Sequence, residues 1–598
     1  MLSEAYNLLD KEDKKKGFAV VSIVAFQALL EVTGAASIIP LLILFLGSSG
    51  QGESETIQSL SNQMYDFGVP RDVEFLPAFI GGLLFLTILT FFVRSYSSYR
   101  KNLFVEQTRY SLSRRLLQSY ISQPYEYFLQ QNASDLSKNL LSEVDQVIGK
   151  VIVNLVNMVA HLMVGSAILI LLLVINPYVA MLTFLVAGGL YICIYLSVSK
   201  ALHAMGKERL RRNKERFVIA GEIFGGIKSI KILGKENFST QKFLLPSYRF
   251  SIINAQKQFI NEVPAFLVEA LGISALIVFT YFSLTNGVTG STADIVPLLG
   301  VYAYSFYKLK PAINSIFVGI TGLRYGEKTI EKLHHDLSIH VSNVRTDLVT
   351  EKLPLHETVQ FVNVCYKYDS SEREALSGIN LTFRAGDNIA IVGSTGSGKS
   401  TLMNILLNLL EPTHGFVNLD GERLTAANAS KWQNNIGYVS QDIFMMDGSV
   451  AENIAFGVPK DEIDLNAVKQ AAIAAKIDNF IIHSMEGGYD AVVGDRGVRL
   501  SGGEKQRIGI ARALYTDPDI LIFDEATSAL DNITEKQIIE EIQSLSRTKK
   551  TIIMIAHRLS TVEKCDTIIV LKEGRIETSG SFQELIAGKN TFSAMLNT

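Results

Sequence analysis

Cysteine is nearly missing from this 598-residue chain: Cys193, Cys365 and Cys565 are the whole supply. They lie far apart and form no C-x-x-C pair, which excludes a disulfide framework and a zinc site of the usual spacing. Unpaired thiols in a reducing compartment are expected. No sign of charge dominates either, with 56 Lys and Arg against 59 Asp and Glu and a net charge of −3. No basic tract with interleaved aromatics occurs, so the electrostatic footprint of a nucleic-acid binder is lacking.

Apolar length is what the chain has in excess. Hydrophobic residues make up 48% of it, mean hydropathy is +0.22, and the surplus sits before about residue 325. Six segments near 20 residues or longer stand out, at 18–47, 75–98, 152–175, 178–202, 263–286 and 294–323. Each matches the ~30 Å hydrocarbon core of a bilayer. The first follows "DKEDKKKGF", too charged and leading into too long a run for a cleavable signal peptide, and is expected to remain as an anchor. Between the first two, Ile57, Leu60, Met64 and Phe67 fall on one helical face, predicting an amphipathic surface helix over 55–67.

Lysine and arginine bias sets the orientation. The connection after the second segment carries Arg100, Lys101, Arg109, Arg114, Arg115, Lys138 and Lys150, and the one after the fourth carries "KERLRRNKER". The first-to-second connection has only Arg71, and "TNGVTGSTA" has none. The N-terminus, both basic connections and everything after the sixth segment are therefore expected in the cytoplasm. The two basic connections are helical in pattern and too long for turns. Membrane helices continuing by about 20 residues would protrude about 30 Å. They are expected to reverse near Ser122–Ser137 and Leu233–Leu244. The predicted organisation is an α-helical six-span membrane domain over 1–325, with long cytoplasmic helix extensions. A linker over 326–355 and an α/β P-loop domain over 356–598 follow.

The soluble half carries the chemistry. In "NIAIVGSTGSGKSTL" an apolar strand ends at Gly393, and Ser394, Thr395, Gly396, Ser397, Gly398, Lys399, Ser400 and Thr401 lead into a helical pattern. This is G-x-x-x-x-G-K-[ST] in the strand–loop–helix context that it requires. Its backbone amides and the helix N-terminus suit a β-phosphate. Lys399 suits the β- and γ-phosphates, and the Ser400 hydroxyl suits Mg²⁺. Its companion is "PDILIFDEATSALD", a buried strand ending in Asp524, placed to hold Mg²⁺, and Glu525, placed to polarise the attacking water.

"LSGGEKQR", Leu500 to Arg507, resembles the signature of ATP-binding-cassette (ABC) proteins. The resemblance covers essentially the whole chain, because six spans with long extensions are similar to the membrane half of exporters in that family. It implies further roles. Tyr368 stacks on adenine, Gln441 in "GYVSQDIF" touches Mg²⁺, Asp531 closes the "SALD" D-loop, and His557 in "IAHRLS" is the switch histidine. It also implies that Ser501, Gly502 and Gly503 grip the γ-phosphate of ATP held by a second chain, so that a half-transporter acts as a homodimer with ATP and Mg²⁺.

The substrate is less legible. Ionisable groups at membrane depth cost about 2.5–3.5 kcal/mol on insertion scales and mark function or mutual pairing. Arg94, Lys308 and Lys310 form a candidate cationic cavity, with Glu31 and Glu269 as alternative partners. "LLDKEDKKK", "QPYEYFLQQNASDLSKNLLSEV", "VEALG" and "YKLKPAIN" resemble the lipid-linked oligosaccharide flippases of bacterial N-glycosylation and their polysaccharide-export relatives. That resemblance implies a polyprenyl-pyrophosphate-linked sugar moved across a bacterial inner membrane. An exporter of lipid, drug or peptide, an ATP-gated channel and a nucleic-acid ATPase are the alternatives.

Overall fold

The computed structural model describes residues 2–36, 75–175, 177–286, 292–339, 351–369, 371–494, 497–524, 550–556, 562–588 and 592–593. The chain divides into two units: Met1–Gln123 with Gln130–Val341, and Pro124–Leu129 with Ser342–Thr598. The expected 55–67 helix lies outside the described residues.

The first unit is helical. In chain order it contains α1 (Leu2–Asn7), α2 (Lys11–Ala36) and α3 (Phe75–Ile121). After α4 (Tyr125–Gln130), most of which belongs to the second unit, come α5 (Ala133–Lys138), α6 (Val144–Val147) and α7 (Val153–Ile175). These last three are joined through π-helical turns at Asn139–Glu143 and Ile148–Ile152. Then follow α8 (Pro177–Gly225), α9 (Ile227–Leu233), α10 (Glu236–Asn286) and α11 (Thr292–Ser338). Helix thus runs through the described residues of every segment expected to span. By length and composition alone, Lys11–Gly34, Pro77–Ile121 and Ala133–Ile170 are apolar enough to cross a membrane.

The burial pattern changes along single helices. In the first half of α3, Leu84, Phe85, Ile88, Phe91 and Phe92 are exposed, an apolar surface suited to lipid. In its second half Leu112 and Leu116 are buried with Val144, Val147, Ile148, Val151, Ile330 and Leu333 in one apolar core. Helix extension beyond the apolar stretch therefore makes an ordinary packed bundle. Several charged groups inside it are paired, which offsets the cost of burying them. Arg209 bonds Glu143, which also accepts from Asn213 at 2.8 Å, and both ions are at most 2% exposed. Asp135 takes Lys138 at 2.7 Å and Lys214 at 2.9 Å. Tyr120 donates to Asp336 at 2.5 Å.

The first reversal falls where expected. Helix α3 stops at Ile121, ahead of Pro124, and Asn132 caps α5 by accepting the Ser134 amide at 3.0 Å. The second falls at the start of the expected Leu233–Leu244 stretch. The chain breaks at Gly226 and turns at Gly234, which has φ 60 and ends α9, while Glu236 already opens α10. A left-handed residue is cheap for glycine alone, so the turn sits on it rather than in the helix-compatible "ENFSTQKFL".

The second unit is α/β. A four-stranded antiparallel sheet runs β2 (Leu376–Arg384), β1 (Thr358–Tyr366), β4 (His414–Leu419), β5 (Glu422–Arg423). A six-stranded sheet runs β10 (Arg575–Gly580), β9 (Thr567–Lys572), β3 (Asn388–Val392), β8 (Thr551–Ile555), β7 (Ile520–Asp524), β6 (Ile436–Val439). It is parallel except at β10. Its central strands are apolar on both faces, as parallel strands covered on both sides must be. Ile389, Ile391, Ile520, Ile522, Ile553 and Ile555 face one core, and Ala390, Val392, Leu521, Phe523, Ile552 and Met554 face the other.

Candidate nucleotide-binding site

The phosphate loop leaves the carboxyl end of β3, where ligands of open α/β sheets bind. Helix α12 (Lys399–Leu406) follows it, entered through Gly398 at φ 103. A side chain at Gly398 would be strained by that φ and would also approach the Ala375 carbonyl oxygen to 2.7 Å. Lys399 is 7% exposed, and its Nζ donates to the carbonyls of Gly393 at 2.8 Å and Ser394 at 3.2 Å. The ammonium thus lies over the loop. Ser394, Thr395, Gly396 and Ser400 are exposed around it. Ser397 is 2% exposed, and its Oγ is buried without a hydrogen-bond partner. A buried orphan hydroxyl, a loop position that admits only glycine and a cation at a helix N-terminus together fit a nucleotide phosphate.

Three other expected residues assemble near the loop. Tyr368 Oη lies 3.1 Å from Thr401 Oγ1, and its ring meets Tyr366 edge-on at 4.9 Å. Asp524 ends β7 level with Ile555 of β8, and β8 pairs Ile555 with Ile391 of β3. Its Oδ2 accepts from Tyr438 of β6 at 3.2 Å. Burial, together with that carboxylate, pushes the Tyr438 phenol well above its ordinary range and keeps it a donor. Gln441 follows β6 by two residues and is exposed. Glu525, Asp531 and His557 lie outside the described residues.

The signature builds a helix start. Ser501 caps α13 (Gly502–Tyr515): its Oγ accepts the Glu504 amide at 3.4 Å, and Glu504 Oε2 accepts the Ser501 amide at 2.7 Å. This reciprocal capping was legible as S-x-x-E, and it explains the glutamate of the motif. Ser501 and Gly502 are exposed, so the positive helix end faces outward.

Cradle and signature lie on opposite faces of one sheet. Leu402, Met403, Ile405 and Leu406 of α12 pack into the core that holds Ile389 and Ile391. Ile508, Ile510, Ala511 and Ala513 of α13 pack into the core that holds Ala390 and Val392.

Two contacts escape sequence reading. Arg512 on α13 donates to the carbonyls of Asn453 at 2.8 Å and Phe444 at 2.9 Å and lies 4.7 Å from the Phe456 ring centroid, tying the signature helix to the segment after Gln441. Burial brings its guanidinium down to about 10. Tyr366 donates to Glu126 of α4 at 3.0 Å. Neither has a local motif, since each depends on neighbours distant in sequence.

Comparisons with known proteins agree with this geometry. Residues 376–528 match the ABC transporter family and residues 37–304 match the ABC transporter transmembrane region. The ATP-dependent lipid A-core flippase of Ralstonia nicotianae is 30% identical over 80% of this chain and 79% of its own length. The chain is an ABC transporter. The lipid A-core flippase of Yersinia pestis is 29% identical over 88% of each chain. A solved bacterial Atm1-family ABC exporter with ATP bound shares the fold at a TM-score of 0.77 and 21% identity, covering 98% of this chain and 99% of that one. The chain is thus an integral membrane ABC exporter half, a membrane domain followed by a nucleotide-binding domain, which binds ATP and couples its hydrolysis to transport.

The membrane charges divide. Lys310 forms an ion pair with Glu269, so it carries its own counter-ion. Arg94 is exposed and stands close enough to Lys101 to help lower that ammonium's pKa, burial being the larger cause and Glu31 opposing. Lys308 lies on α11, with its side chain outside the described set.

Proposed function

We propose that the protein is a homodimeric flippase with six spans per chain, in a bacterial inner membrane with its nucleotide-binding domains in the cytoplasm. Its proposed substrate is a polyprenyl-pyrophosphate-linked oligosaccharide or a related anionic glycolipid. The observation that carries the dimer is the placement of cradle and signature on opposite faces of one sheet. The Ser501 end of α13 serves a phosphate only if that phosphate is held by another chain. Lys399 and the loop amides hold the β- and γ-phosphates, and Tyr368 offers its ring to the adenine. Ser400, Gln441 and Asp524 would hold Mg²⁺, which neutralises phosphate charge. Glu525 polarises the attacking water, His557 steadies the γ-phosphate, and Asp531 contributes from the D-loop.

The glycolipid reading is supported by relatives named as lipid A-core flippases and by Arg94 and Lys308, cations at membrane depth. Lys308 sits about 14 residues into its span, about 21 Å along a helix, too deep for easy snorkelling. Lys310, paired with Glu269, contributes less. The test is reconstitution in liposomes, following leaflet exchange of a fluorescent polyprenyl-pyrophosphate-linked sugar. Arg94→Gln with Lys308→Gln lowers the lipid moved per ATP hydrolysed, and Lys308→Arg is far milder. Full flipping by the doubly neutral variant refutes the cationic cavity.

A further inference from the structure

Lys257 is a buried cation without an anion. It lies on α10 at 8% exposure, and no carboxylate among the described residues pairs with it. What it meets is aromatic and cationic. Its Nζ stands 5.8 Å from the ring centroid of Tyr325 on α11, and the charge of Lys150 bears on it. Lys150 is held nearby by a tight helix contact. A Cβ at Gly322 of α11 would approach the Lys150 carbonyl oxygen to 2.8 Å and Asn154 Nδ2 to 3.2 Å. Gly322 therefore packs against the backbone of Lys150, three residues from the Tyr325 that meets the Lys257 ammonium.

The polar groups around Lys257 are arranged as donors. Asn254, Lys257 and Asn261 share one face of α10 at i, i+3 and i+7. Tyr325 donates to Asn254 Oδ1 at 3.1 Å, and Thr321 donates to Asn261 Oδ1 at 3.0 Å. Each of these side-chain amides also carries an NH₂ group able to donate. Two ammonium groups and two amides, with no carboxylate among them, supply the donors that an anion site needs. Burial and Lys150 bring the Lys257 ammonium down to about 8, so an arriving anion relieves a repulsion already built in.

The layer has a definite depth. Lys150 precedes the 152–175 span by two residues, Lys257 precedes the 263–286 span by six, and Tyr325 follows the 294–323 span by two. That is the level of cytoplasmic-leaflet headgroups. We infer that Lys150 and Lys257, with Asn254 and Asn261, form a binding station for the phosphate of a lipid headgroup entering from the cytoplasmic leaflet. The station is separate from Arg94 and Lys308, and its link to transport rests on the proposed phosphorylated glycolipid.

The test uses the full chain in detergent and two readouts. In the wild-type protein, brief acetylation with acetic anhydride, mapped by peptide mass spectrometry, reads protection of Lys257 and Lys150. The exposed Lys231 serves as reference. The probes are undecaprenyl pyrophosphate, dioleoylphosphatidic acid, undecaprenol and inorganic pyrophosphate. Both phosphate-headed lipids protect Lys257 and Lys150, and undecaprenol does not. In direct binding, Lys150→Gln with Lys257→Gln weakens both phosphate-headed lipids by at least about tenfold, the loss expected for contacts to a charged group. Lys257→Arg keeps most of the affinity. Absence of protection, or equal binding by the double variant, overturns the station. Protection by inorganic pyrophosphate alone overturns the lipid source. If both readouts hold while no polyprenyl-linked sugar changes leaflet, the substrate reading falls and the station stands. Should the double variant misfold, the wild-type protection pattern decides.

Discussion

Cradle and lid on opposite sheet faces make a prediction about mixed dimers. Lys399→Ala removes the ammonium over the phosphate loop. For the lid, Ser501→Asp keeps a good N-cap residue, so α13 keeps its start, but aims a carboxylate where a γ-phosphate is to be gripped. In the wild-type protein the Ser501 hydroxyl accepts the Glu504 amide and keeps its proton to donate. With a Gly503 amide that makes two donors to a charged oxygen. At about 1.5–3 kcal/mol each, their loss costs about 3–6 kcal/mol, a factor of about 10² to 10⁴ in closing over ATP. The assay uses coexpressed, differently tagged chains purified as heterodimers and measures trapped nucleotide per dimer. With the substitutions on separate chains, both defects fall on one composite site and the other is wholly wild type, so one nucleotide is retained. With both on one chain, each site has one defect and neither closes. Equal trapping in the two arrangements across an ATP titration refutes assembly of the site between chains.

Glu525→Gln retains ATP binding and lowers hydrolysis by orders of magnitude, leaving a closed, ATP-loaded dimer; near-normal turnover removes Glu525 from its role. Glu143→Ala strands Arg209 in the helical core and lowers stability by about 3–5 kcal/mol in chemical unfolding, whereas adding Arg209→Met recovers much of the loss. Asp135 is raised by burial, but Lys138, Lys214 and Lys332 outweigh that and hold it at about 2 against 3.8. Its folded-state value is the depressed one, so its contribution is present above about pH 4 and is lost as pH falls from there towards 2. Asp135→Asn should flatten the acid limb of stability in that window. Maleimide leaves Cys565 unmodified in the folded protein and labels it on unfolding, since Cys565 is buried and burial pushes its thiol up to about 12.

Local patterns explain what was legible in advance. The phosphate loop, β3 and β7 are contiguous in sequence, and their chemistry follows from spacing: an apolar strand, glycines where only glycine fits, then a helix. Apolar run length pointed to long helices for the same reason. What escaped depends on neighbours far along the chain. Arg512 looks like any helix-end arginine until Phe444 and Asn453 fold beside it. Lys150 and Lys257 are 107 positions apart and read as two more basic residues in cytoplasmic connections. The π turns at Asn139–Glu143 and Ile148–Ile152 have no propensity signature in the notation of apolar and polar positions. They flank the turn that carries Val144 and Val147 into the core, so packing, not local preference, accounts for them.

The separation of the two grips also bears on why ATP can do work here. If one chain placed its signature over its own phosphate loop, gripping a γ-phosphate would release free energy without moving anything large. In the proposed dimer, with the grips on opposite faces of a doubly covered sheet, that energy is available only through association of two chains. Binding then favours the associated state by the differential contacts to phosphate, about 3–6 kcal/mol per site on the donors counted above. Cleavage removes the same contacts and releases the pair. A cycle built this way needs no change inside either nucleotide-binding core, consistent with strands buried on both faces. In the proposed dimer the movable quantity is the distance between chains.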